Sequence, residues 1–101
     1  MIVVNGTIRS TEDDIRALRD AVAKMESLSR DEQGCDDYTF SIELNEPTVV
    51  RITERWTSLE ALQAHFQAPH MAEFQAAMAL HPPLEMDVKF YQASEIELQI
   101  G

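Results

Sequence analysis

Apolar residues follow two rhythms along the chain. Ile2 to Arg9 is a short β-branched stretch, which predicts a strand. Asn5 and Gly6 interrupt it, and a glycine inside a strand marks a bulge or a close approach to the backbone. From Ile15 the rhythm changes: Ile15, Leu18, Val22, Met25 and Leu28 recur every three or four residues. That spacing predicts one buried stripe on a helix of about five turns. Ser10 and Thr11 stand before it as capping hydroxyls, and Glu12, Asp13 and Asp14 suit its positive end. Gly34 follows, able to take a positive φ in the connection.

Alternation returns at Tyr38, Phe40, Ile42 and Leu44, then again from Thr48 to Trp56, with Asn45, Glu46 and Pro47 as turn formers between them. The pair reads as an antiparallel hairpin. On its second strand Val50, Ile52, Glu54 and Trp56 share one face, and Val49, Arg51, Thr53 and Arg55 the other. Thr57 and Ser58 are the next capping residues, and Thr57 with Glu60 matches a capping box. Leu59, Leu62 and Phe66 form the apolar side of a short helix. Pro69 interrupts it, and a second piece carries Met71, Phe74 and Met78 as far as Pro82 and Pro83. Leu84 to Ile100 alternates once more, as one long bent strand or two short ones.

The predicted order is β-α-β-β-α-α-β, which suggests an α+β, ferredoxin-like four-stranded antiparallel sheet with its helices on one face. Right-handed crossovers leave the other face bare. Since the hairpin carries apolar or long aliphatic groups on both parities, a second copy is expected to cover that face as a C2 homodimer.

Composition narrows the partners. The 101 residues suffice for one domain, 1–101. Eighteen acids against eight bases give a formal charge of −10, which repels nucleic acid and anionic membrane surfaces. The single cysteine, Cys35, allows no intrachain disulfide, so a reduced, cytoplasmic setting is expected. Acids beside Cys35 disfavour its thiolate. The first residues lack a basic, apolar leader pattern, and no apolar run approaches the ~18 residues of a membrane span. There is no glycine-rich phosphate loop, no HExxH and no Cys-x-x-Cys, so no flavin, nicotinamide or metal is expected. His65 and His70 lie five apart across a proline and need not share a face.

The run from Glu54-Arg55-Trp56 through Thr57-Ser58-Leu59-Glu60-Ala61-Leu62-Gln63-Ala64-His65 to Pro69-His70-Met71, with Phe74 beyond, resembles the antibiotic biosynthesis monooxygenase (ABM) family. Asn5 and the acidic hairpin fit as well. The resemblance implies a dimeric α+β barrel with a small-molecule pocket between sheet and helices in each subunit. It implies monooxygenation, without a cofactor, of a small electron-rich aromatic or quinol-type compound by O₂. The haem-degrading branch uses an Asn, a Trp and a His; here Asn5 fits, but His65 stands at the Trp position and Gln75 at the His position. Haem degradation is therefore rejected.

Two residues emerge as catalytic candidates. His65, three after Leu62, either binds or deprotonates a substrate hydroxyl or is a packed histidine orienting its helix. Asn5 either holds a carbonyl or reduced oxygen or satisfies strand backbone. Trp56, Tyr38, Phe66, Phe74, Met78 and His70 are expected around the substrate. Glu54, a carboxylate on an apolar face, is expected to pair with an arginine, in its own chain or across the dimer, in preference to work as a general base. Two other readings stay open: an isomerase or decarboxylase of a small carbonyl compound, and a non-catalytic binding module.

Overall fold

The computed structural model describes residues 1–101. The chain runs β1 (Ile2–Arg9), α1 (Glu12–Ala17), α2 (Arg19–Arg30), β2 (Cys35–Glu43), β3 (Glu46–Trp56), α3 (Leu59–Phe66), α4 (Pro69–Leu80) and β4 (Glu85–Gln92). The strands form one antiparallel sheet in the order β2-β3-β1-β4. The helices lie on one face of it, the expected α+β, ferredoxin-like arrangement.

The register sorts the side chains. Val4 lies opposite Glu54 and Phe90, Gly6 opposite Ile52 and Val88, and Tyr38 opposite Glu54. These point to the helices, and Val4, Met25, Tyr38, Trp56 and Leu62 form the centre of the core. Gly6 is where a Cβ would come within 3.1 Å of Ile52, so the glycine lets the Ile52 side chain lie across the strand.

The first predicted helix is two helices, broken at Leu18. Thr11 caps α1 by accepting from the Asp14 amide. Ser58 alone caps α3, through the Ala61 amide at 3.1 Å; the expected Thr57–Glu60 box does not form, because Ser58 takes the capping position. Pro69 sits in the first turn of α4, where its missing N–H costs nothing. The α2 side chains also guard an exposed edge: Glu26 accepts the Phe40 amide at 2.8 Å, and Arg30 donates to the Tyr38 carbonyl at 2.9 Å. The last predicted strand is shorter than expected. It ends at Gln92, Ala93 exchanges backbone hydrogen bonds with Met1, and residues 94–101 form no strand, leaving Ile96, Leu98 and Ile100 exposed.

Candidate active site

Between the inner sheet face and α3 and α4 lies a cavity of about 380 Å³. Tyr38, Phe40 and Ile52 line it from the sheet, and Phe66, Phe74 and Met78 from the helices. Of its thirteen lining residues only Glu54 and Gln75 are not hydrophobic. Its open rim is also apolar: Phe66, Met86 and Phe90 are each about half exposed, and the Phe66 and Phe90 rings meet edge to face at 6.2 Å.

Glu54 is the one acid on this wall. It is 8% exposed, and its Oε1 accepts from Trp56 Nε1 at 2.9 Å. No cation pairs with it, so the expected arginine partner is replaced by an indole N–H. The cause is the register: the arginines of β3 point to the opposite sheet face. Burial raises the Glu54 carboxyl to about 7, with the Glu32 charge adding to the rise and the Trp56 bond opposing it. Burial and then Glu54 push the Tyr38 hydroxyl well above its ordinary value, so it stays a neutral donor. Burial likewise raises the Cys35 thiol to about 11, leaving it unreactive.

Behind the wall is a second polar cluster. His65 is 1% exposed, and its ring lies 4.7 Å from that of Trp56 and 5.2 Å from that of Tyr38. Its Nδ1 lies 2.6 Å from Glu32 Oε2, and His70 Nε2 lies 2.9 Å from the same oxygen. A carboxylate can only accept, so both rings donate to it. Burial lowers the His65 pKa, with Glu32 pulling the other way, so the ring is neutral near pH 7.

This is an apolar, aromatic-sized cavity with one carboxyl poised near neutrality, on a ferredoxin-like frame. The sequence model of the family described as antibiotic biosynthesis monooxygenase matches residues 1–77. The chain belongs to the antibiotic biosynthesis monooxygenase family. Among curated relatives, Escherichia coli (strain K12) "Probable quinol monooxygenase YgiN" is 29% identical over 76% of this chain and 81% of its own. A Deinococcus radiodurans crystal structure, described as a candidate antibiotic biosynthesis monooxygenase, superposes with a TM-score of 0.89 at 26% identity over 100% of both chains. Rv0793 from Mycobacterium tuberculosis superposes at 0.83 with 22% identity over 94% of this chain and 96% of its own, a likeness of fold.

Within this ABM domain the expected site residues separate. Tyr38, Phe66, Phe74 and Met78 line the cavity. Trp56, His65 and His70 do not: Trp56 and His65 are packed behind it, and His70 meets Glu32. Asn5 is exposed, opposite Thr53 and Lys89 on the helix-free face of the sheet. Asn5 and His65 therefore lie apart, since strand alternation turns Asn5 away from the helices. Two residues stand outside the expected catalytic pair, Glu54 having been read as an ion-pair partner and Glu32 not singled out. Glu54 had a visible signal, an acid in phase with Val50, Ile52 and Trp56. Glu32 had none, lying in a loop without periodicity.

Proposed function

We propose that the protein is a cofactor-independent monooxygenase acting on a small quinol-type aromatic, with Glu54 as the base. One observation supports this above the others: in an ABM domain, an otherwise apolar cavity carries a single buried carboxyl held at about 7. A base of that strength is half ionised at working pH and within reach of a phenolic proton. The apolar wall keeps water away and favours a flat, neutral ligand. Glu54 takes a hydroxyl proton, and the electron-rich ring reacts with O₂. One oxygen atom joins the ring and the other leaves as water, so quinol plus O₂ balances hydroxyquinone plus water. The ring supplies all four electrons, and no external reductant enters. Tyr38 is a neutral donor that orients an oxygen of the ring, while Trp56, held by His65, fixes the Glu54 carboxylate.

The same carboxyl would also suit proton abstraction beside a carbonyl, the isomerase reading. Oxygen consumption on a panel of quinols, with no flavin or metal added, separates the two. Uptake matched by hydroxyquinone is expected, and Glu54→Gln should slow it about 10²–10⁴-fold. Turnover of quinol by the variant at the parent rate would remove Glu54 from the chemistry. A second copy of the chain against the helix-free sheet face completes this reading, and the homodimer is the functional unit.

A further inference from the structure

The loop between α2 and β2, the end of α3 and the first turn of α4 bring together Glu32, His65 and His70, with their ligand atoms all within 4.8 Å of one another. We infer that these three side chains form a binding site for one zinc-class divalent transition ion, separate from the cavity and joining three elements.

Two imidazole nitrogens and one carboxylate oxygen form a donor set that suits zinc, cobalt or nickel and disfavours magnesium and calcium. Each histidine would present one ring-nitrogen lone pair to the ion. A four-coordinate ion with bonds of about 2.0–2.1 Å spaces its ligand atoms about 3.3 Å apart. The present 2.6 and 2.9 Å contacts must therefore open by under an ångström. Glu32 can supply that opening, because it lies in a turn and not in a helix or strand, while the two ring nitrogens, within 4.8 Å of each other, must close by up to about 1.5 Å through movement of the His70 side chain. Its side chain is 17% exposed and that of His70 13%, which leaves the outer side for a fourth ligand such as water.

A second observation comes from the far side of His65. Its Nε2 is buried without a hydrogen-bond partner, in a ring flanked by Tyr38, Trp56 and Phe66 at 4.7–5.8 Å between centroids. While Nδ1 carries the proton, Nε2 is a bare lone pair among aromatic rings. With a cation on Nδ1 the proton moves to Nε2, and an N–H among aromatic rings has π electrons to bond. None of the three residues lines the cavity, so the ion would clip the loop and the two helices together and take no part in turnover.

The test is titration of the chelator-treated full chain with CoCl₂ and with ZnCl₂. One Co²⁺ per chain is expected, with the visible absorption of a four-coordinate ion, displaced by Zn²⁺, and with a raised thermal midpoint. His70→Ala and Glu32→Gln should each weaken uptake about tenfold or more. Both sites are partly exposed, so the variants should fold. Glu54→Gln should bind as the parent does. Absence of binding by the parent would overturn the site, as would uptake unchanged in both ligand variants, which would place the ion on surface acids. Loss of uptake in Glu54→Gln would place it in the cavity and overturn the site equally.

Discussion

Glu54 does at residue scale what the family frame alone cannot, by giving an otherwise apolar cavity one titratable carboxyl. Its raised pKa has two consequences with opposite senses. As a base it must be ionised, so kcat/KM should climb with pH through about 7 and level off above. As a buried acid it favours the protonated fold. Its folded pKa lies above the ordinary 4.5, so its stabilisation is full below that value and is lost as pH rises through about 7. Replacing it by Gln should therefore make the fold more resistant to urea at pH 8 by up to about 3 kcal/mol, with little gain at pH 4. An equal effect at both pH values would mean that Glu54 is not buried as a charge. Trp56→Phe removes the N–H that favours the carboxylate, so the acid limb of the rate profile should move to higher pH. A limb that stays in place would show that the indole bond does not set the proton affinity.

At the scale of elements, most of the architecture was legible because each strand and helix carries its own periodicity and cap. Thr11, Ser58 and Pro69 mark three helix starts, and the alternating faces of β2 and β3 are plain in the sequence. The failures share a cause: they depend on what lies across space. Residues 94–101 alternate like a strand, yet a strand exists only beside another, and β1, the neighbour of β4, does not reach past Met1. Leu18 fits the apolar stripe, but its backbone at φ −88 and ψ −2 closes one helix and opens the next. Asn5 has the right residue type on the wrong parity for the cavity. Gly34 is legible at both levels. Its φ is +87, a conformation in which L side chains are strained, and its carbonyl accepts the Thr57 amide at 2.8 Å. A Cβ there would lie 2.6 Å from that of Ala61 and 2.8 Å from Thr57 Oγ1. Gly34→Ala should thus cost about 2–4 kcal/mol, read as a lowered urea midpoint with unchanged slope. A cost near zero would mean that α3 can shift away from the loop.

For the whole molecule, the formal charge of −10 is unevenly spread. On the helix-free sheet face the register places four cations, Arg9, Arg51, Arg55 and Lys89, among four acids, Asp37, Glu43, Glu85 and Asp87. Three pairs are made in place: Arg9–Glu85, Arg51–Glu43 and Lys89–Asp87. The ion pairs on that face offset one another, so most of the excess of acid lies on the helices, the turns and residues 93–101. Two strongly acidic chains can then approach through the one face that does not repel, with Thr7, Thr39 and Thr53 between the charges. Reversing one charge on this face should matter more than reversing one elsewhere. Arg51→Glu leaves each face acidic by two charges, and these meet their own copies across a twofold axis; dimer affinity should fall about tenfold or more in low salt and partly recover in high salt. Arg19→Glu changes the net charge equally, but from an exposed helix position without an ion pair, and should leave the dimer almost intact. Sedimentation velocity on both variants decides the matter. Equal weakening would assign the effect to overall charge, and a parent chain that sediments as a monomer at micromolar concentration would remove the dimer itself.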